Sequence, residues 1–153
     1  MSLSYPPKSI LFVCLGNICR SPSAQSVMQK QCEEVGLNVV LDSAGVAGYH
    51  VGEAPDGRAI EVGRSLGYEL SNLRARQVSI SDFYEFEMIF AMDNDNLKAL
   101  QKIMPTDATA HVRLFDDKAV ADPYYGDKQD FEQMFAHIIR AGNGWISRWQ
   151  GGL

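Results

Sequence analysis

The stretch that most constrains this chain is Cys14-Leu15-Gly16-Asn17-Ile18-Cys19-Arg20-Ser21-Pro22. It follows residues 8–13, Lys-Ser-Ile-Leu-Phe-Val, a short β-branched and aromatic run that reads as a buried strand. Ser21 followed by Pro22 reads as a helix start, because a serine side chain caps free N–H groups and proline suits the first helical position. The loop therefore joins the carboxyl end of a strand to the amino end of a helix. There the backbone N–H groups of Leu15, Gly16, Asn17, Ile18, Cys19 and Arg20 and the positive end of the helix dipole converge, a setting that favours a bound dianion. Arg20 adds a planar fork of donors matched to phosphate oxygens. The field that holds a phosphate also holds a thiolate, so Cys14, six positions before Arg20, is expected to be a nucleophile toward phosphorus.

With 153 residues the chain suits one domain spanning 1–153, and residues 1–7 are set aside from the fold as a disordered lead-in. Those residues carry neither a basic region nor an apolar core, so no secretory leader is read and a cytoplasmic home is expected. No run approaches the ~18 apolar residues of a membrane span. A net charge of −5, without any cluster of Lys or Arg, argues against nucleic acid as a partner. Cys14, Cys19 and Cys32 lack zinc spacing, as do His50, His111 and His137, so no metal is expected.

After the loop, residues 21–35 carry Ala24, Val27, Met28, Cys32 and Val35 at helical spacing, ending at Gly36. Residues 37–41 read as a second strand, with Asp42-Ser43-Ala44-Gly45 as its exit. A glycine-rich loop, residues 46–52, precedes a helix that starts near Pro55 and ends at Gly67. Arg74 and Arg76 follow, read equally as solvated or as functional, and residues 81–83 suggest a short helical turn. Residues 87–92 are a third strand, and Asp93 to Asn96 cap a helix stopped by Pro105. Residues 111–115 are a fourth strand, followed by a surface loop through Gly126. A last amphipathic helix carries Phe131 to Trp149, and Gly142-Asn143-Gly144 is expected to interrupt it. Strands alternating with helices imply an α/β fold, a four-stranded parallel sheet with helices on both faces. Ligands of such sheets bind beyond the carboxyl ends of the strands, where residues 14–20, 43–52 and 117–126 come together.

Breaking a phosphate ester at that edge needs a proton donor for the leaving oxygen. Asp122, held by Pro123 and flanked by Tyr124 and Tyr125, is the first choice, with Asp116, Asp117 and Asp127 as rivals and an ordinary Asp-Pro turn as the plain alternative. At this point the chain resembles the low-molecular-weight protein tyrosine phosphatases nearly end to end. The resemblance rests on residues 13–22, on Asp42-Ser43-Ala44-Gly45, on His50-Val51-Gly52-Glu53 with Pro55-Asp56 and Arg58-Ala59, on Arg74-Ala75-Arg76, and on Asp122-Pro123-Tyr124-Tyr125-Gly126.

The resemblance implies hydrolysis of phosphotyrosine in proteins through a cysteinyl phosphate on Cys14. It assigns Arg20 and the loop N–H groups to the phosphoryl oxygens, and Asp122 to general acid and then general base. It assigns Ser21 to stabilising the thiolate, and Asn17 to holding the loop, with Ser43 as its hydrogen-bond partner. No cofactor is implied, inorganic phosphate and other oxyanions are expected to inhibit, and the chain is expected to act as a monomer. Tyr49, Tyr124 and Tyr125 would wall a cleft floored by Ile18. Related bacterial arginine phosphatases place Thr where Ile18 stands, so Ile18 points to a phenyl ring rather than a guanidinium. The chain departs from the common pattern at Val46, where Thr is frequent, and at Tyr49, where Trp often precedes the His. Cys14 and Cys19 bracket one tight loop, and the resemblance implies that they form a reversible disulfide on oxidation, against the plainer reading that Cys19 only packs beneath the loop. Thiol-dependent arsenate reductases share the loop but need redox cysteines far downstream, and this chain has none after Cys32. A phosphoryl-binding module without turnover is the non-enzymatic alternative, disfavoured by the joint presence of Cys14, Arg20 and Asp122.

Overall fold

The computed structural model describes residues 5–151. In chain order the elements are β1 (Ser9–Cys14), α1 (Arg20–Glu34), β2 (Val40–Gly45), α2 (Gly57–Ser65), α3 (Asp82–Glu85), β3 (Met88–Ala91), α4 (Asn94–Ile103), β4 (His111–Leu114) and α5 (Lys128–Trp149). The strands form one parallel sheet in the order β2-β1-β3-β4, so β1 is flanked on both sides and delivers Cys14 to the middle of the carboxyl edge.

Side chains alternate across a strand, and β1 uses both sides. Ile10, Phe12 and Cys14 join a core with Val27, Met28, Val62, Phe131, Phe135 and Trp145 from α1, α2 and α5. Leu11 and Val13 join a second core with Phe83 and Leu100 from α3 and α4. A strand buried on both faces reads as an unbroken apolar run, and for that reason β1 and β3 were visible in the sequence. The first core is rich in rings: Phe12 meets Phe115 edge-on at 5.7 Å and Phe90 lies 5.0 Å from Trp145. Such pairs add to the burial of their area.

Several expectations of the chain's elements differ from the structure. The second strand is Val40–Gly45, not residues 37–41. Leu37 instead closes α1: Gly36 has φ 75°, and the N–H groups of Gly36 and Leu37 donate to the carbonyls of Glu33 and Cys32 at 3.2 and 2.9 Å, a Schellman closure. The segment read as the strand's exit is thus strand proper, ending where Gly45 pairs with Cys14. The helix start near Pro55 lies at Gly57, with Asp56 as the cap that accepts from the Arg58 N–H. Ser21 is not a cap; Cys19 holds that position without a side-chain bond, and Ser21 lies inside the first turn.

α5 runs unbroken through Gly142-Asn143-Gly144, where the sequence predicts an interruption. A Cβ on Gly142 would sit 2.2 Å from the Gln31 side-chain oxygen. Glycine there lets α5 approach α1, where the Gln31 amide donates to the Ile139 carbonyl at 3.0 Å and to Asn143 at 3.1 Å. Of the seven leading residues, 1–4 lie outside the described residues, and Pro7 is buried, so the fold begins before Lys8. Among the described residues no helix is long and apolar enough to cross a membrane.

Candidate active site

Between β1 and α1 the chain turns through Asn17, whose φ of 59° lies in the left-handed region that asparagine tolerates better than most residues. Asn17 is 2% exposed and uses both ends of its amide. Its Nδ2 donates to Ser21 Oγ at 2.8 Å, and its Oδ1 accepts from the Arg76 N–H at 3.1 Å. The bond expected between Asn17 and Ser43 is absent: Ser43 Oγ donates to Gln25 Oε1 at 2.7 Å. The reason is the strand register, which pairs Ser43 with Phe12, two residues back from the loop, while the backbone of Arg76 reaches the Asn17 side chain directly.

Ser21 Oγ lies 3.0 Å from Cys14 Sγ, and the Ser21 N–H donates to the same sulfur at 3.4 Å. Because Asn17 donates to Ser21 Oγ, that oxygen's lone pair is engaged and its own proton is free for the sulfur or for the Ala44 carbonyl, 3.4 Å away. The sulfur thus meets an N–H of the first turn of α1, where the helix dipole favours negative charge. Gly45 lies so close that a Cβ there would sit 2.8 Å from the Leu15 carbonyl oxygen. The chain after β2 then runs along the loop, with the N–H groups of Val46 and Ala47 donating to the carbonyls of Cys14 and Leu15.

Arg20 is 3% exposed. Its Nη1 donates to Asp93 Oδ2 at 2.6 Å and to the Val120 carbonyl at 3.0 Å, and its Nη2 lies 3.6 Å from Asp122 Oδ2. Burial works against its charge, but Cys14, Asp93 and Asp122 more than offset this and hold its pKa above the usual arginine value. Asp93 does a second job, since its Oδ1 accepts the Asn96 N–H and caps α4. Asp122 Oδ1 accepts from the Tyr124 N–H at 3.1 Å, so Asp122 is indeed in an Asp-Pro turn, and its other oxygen faces Arg20. Cys19 is buried; desolvation first and Asp56 second push its thiol well above the ordinary range.

Cys14, Leu15, Gly16, Ile18, Cys19, Arg20, Tyr49, His50, Asp122, Tyr124 and Tyr125 line one cleft of about 210 Å³. The three segments expected at the carboxyl edge therefore do meet. Asp116 is turned away toward His137, Asp117 lines a separate hollow beside it, and Asp127 caps α5, so none of the three rivals of Asp122 is in the cleft. Tyr49 and Tyr125 are 75% and 94% exposed, which makes them rims rather than walls.

Five residues have roles at the site that the sequence analysis does not assign. His50 packs on Gly16, where a Cβ would come within 2.9 Å of its ring. Asp93 caps α4, as the sequence predicts, and also holds Arg20. Asp56 and Arg58 form a strut: the Asp56 N–H donates to the Ile18 carbonyl, its carboxylate grips Arg58, and Arg58 donates to the carbonyls of Tyr124 and Gly126. Arg76, left open between two readings, ties Asp42 to Asp82 at 3.0 and 2.9 Å. His50, Asp56, Arg58 and Arg76 lie in motifs that carry the family resemblance and Asp93 at a helix cap, but no local pattern discloses these long-range contacts.

Comparison with known proteins agrees with this geometry. Residues 9–150 match the family model of low molecular weight phosphotyrosine protein phosphatase. A curated relative of that name from Schizosaccharomyces pombe is 41% identical over 140 residues, covering 85% of this chain and 89% of its own length. Among solved structures, a protein tyrosine phosphatase from Entamoeba histolytica with Hepes in its active site superposes with a TM-score of 0.87. It is 37% identical and covers 93% of this chain and 96% of that one. A Drosophila arginine phosphatase superposes with the same TM-score at 28% identity, covering 93% and 98%. The chain belongs to the low molecular weight phosphotyrosine protein phosphatase family.

Proposed function

We propose that this chain hydrolyses phosphotyrosine in proteins by two displacements at phosphorus. In the first, Cys14 Sγ forms a bond to phosphorus as the bond to the phenolic oxygen breaks, and Asp122 gives its proton to that oxygen. In the second, water forms the new bond to phosphorus and loses a proton to Asp122, and the sulfur leaves as thiolate. The backbone N–H groups of residues 15–20 and the Arg20 guanidinium hold the three non-bridging oxygens throughout. One observation carries this reading: Cys14, Arg20 and Asp122 line the same cleft, the carboxylate 3.6 Å from the guanidinium that would hold the phosphoryl group. On this reading Asp122 faces the leaving oxygen while Cys14 attacks from the other side of phosphorus. Inorganic phosphate and other oxyanions compete for the same donors.

Ile18, 8% exposed and part of the cleft lining, supports a phenyl ring over a guanidinium. A β-branched apolar side chain leaves guanidinium N–H groups unpaired on desolvation, at a cost of about 1–3 kcal/mol or more. The Drosophila relative makes the alternative concrete. Matched peptides bearing phosphotyrosine, phosphoarginine or phosphoserine, compared by kcat/KM, test the proposal. At least tenfold preference for phosphotyrosine is expected, and equal turnover of the phosphoarginine peptide would refute the reading of Ile18.

Cys19 fits a resolving thiol. Peroxide would oxidise the Cys14 sulfur to a sulfenic acid, and the Cys19 thiol would displace water from it to form a disulfide. Cys14 and Cys19 line the same cleft, and desolvation, which holds the Cys19 thiol well above the ordinary range, slows this step because the thiolate is the attacking form. Peroxide-treated protein should carry a Cys14 to Cys19 crosslink by mass spectrometry, with activity restored by thiols.

A further inference from the structure

We propose that His137, on α5, is a positioning residue for proton transfer, acting through Asp116 to fix the loop that carries Asp122. The inference rests on the reading of Asp122 as the proton donor. His137 Nε2 lies 2.7 Å from Asp116 Oδ2, and the histidine side chain is only 12% exposed. The other Asp116 oxygen accepts the Asp117 N–H at 2.9 Å, so both carboxylate oxygens are engaged where the chain leaves β4.

The shape of the loop gives this contact its weight. Asp122 lines the catalytic cleft on one side and, on the other, a hollow of about 350 Å³ between the loop and α5. Lys118, Ala119, Ala121 and Pro123 roof that hollow, and Met134 and His137 belong to its floor. Apart from Val120, whose side chain is buried in the first core, a segment with a hollow beneath it gains little from close packing, so the position of its ends depends on their points of attachment. At the far end Arg58 holds the carbonyls of Tyr124 and Gly126. In the middle the Val120 N–H donates to the Met92 carbonyl, and Arg20 binds the Val120 carbonyl. At the near end Trp145 Nε1 donates to the Phe115 carbonyl, and the His137 contact follows one residue later. His137 is thus a side chain of α5 that hydrogen-bonds a side chain of the arch next to the hollow. A proton donor must come within about 3 Å of the leaving oxygen, and misplacement by about 1 Å costs up to ~10²-fold.

The test compares kcat/KM for phenyl phosphate, a poor leaving group, with para-nitrophenyl phosphate, a good one. His137→Ala and Asp116→Ala should each lower the phenyl phosphate value on the order of tenfold, and the para-nitrophenyl value by much less. The inhibition constant of inorganic phosphate, which reads Arg20 and the loop N–H groups, should stay unchanged. His137→Gln, which returns an N–H donor near the Nε2 position, should recover most of the loss. The double variant should lose no more than either single one. Asp116→Ala carries the test if His137→Ala fails to fold, because it breaks the same contact from the loop side. Equal losses for both esters, or additive losses in the double variant, would overturn the proposal. Asp122→Asn is the control: if it shows no leaving-group dependence, the reading of Asp122 fails, and the proposal for His137 with it.

Discussion

The two halves of the site are built in opposite ways. The segment from Cys14 to Arg20 is buried except at Leu15 and Gly16, and the side chains of Asn17 and Arg20 are held on more than one side. The segment from Asp116 to Gly126 is exposed apart from Val120 and Pro123, with Asp116 half-buried, and hangs from separated attachments over a hollow. The difference follows from what each half must do. Donors that receive a charged group act best when they are fixed beforehand in a dry setting, because nothing need reorganise during reaction. A proton donor that must admit a side chain of a protein substrate has to stand at the open rim.

Substitutions separate the halves. Cys14→Ser should show the largest effect, with turnover falling by on the order of 10⁴-fold or more while phosphate still binds, since Arg20 and the N–H groups remain. Loss of phosphate binding together with turnover would mean that the cradle depends on its sulfur. Asp122→Asn should slow the first displacement by ~10²- to 10⁴-fold, most for poor leaving groups, with the thermal midpoint nearly unchanged. Asn17→Ala should reverse that pattern: two buried hydrogen bonds vanish and alanine is strained at a φ of 59°, so stability falls by about 2–4 kcal/mol along with activity. Denaturation in urea checks it. If Asn17→Ala left stability intact, the contrast between a rigid cradle and a suspended arch would fail.

The smallest expected effect is at the strut that joins the halves. The hydrogen bond from Arg58 holds the Asp56 carboxyl below the usual carboxylate range. The folded value is then lower than the unfolded one, so the contribution is full above about pH 4 and drains away as pH falls through the folded value. Thermal midpoints measured from pH 7 to pH 2 should fall less steeply for Asp56→Asn than for the parent chain. An unchanged slope would mean that Asp56 does not carry this part of the acid sensitivity.

What the sequence disclosed was whatever a short window contains. The apolar runs of β1 and β3, the spacing of Cys14 and Arg20, and the cap at Asp93 are local, and they led to the right fold. Where two patterns competed locally, the tertiary contact decided. Leu37 fits a strand by composition but completes the turn after α1, and Gly142 looks like a helix breaker but is the point of contact with Gln31. Ser21 has the composition of a cap and instead bonds the sulfur. Pairings over long separations, such as Arg20 with Asp93 or Arg58 with the carbonyl of Tyr124, leave no periodic trace at all.

Asp93 has a consequence for how sequences of this kind can drift. One carboxylate oxygen closes the amino end of α4 and the other holds the guanidinium of Arg20. A library of Asp93 replacements sorted only for folding would keep Asn, Ser and Thr, which cap a helix, while one sorted for turnover would discard them because none offers Arg20 an anion. The gap between the two surviving sets at that single codon measures the part of the residue's constraint that chemistry imposes. It would be read by sequencing alone, without purifying a single variant.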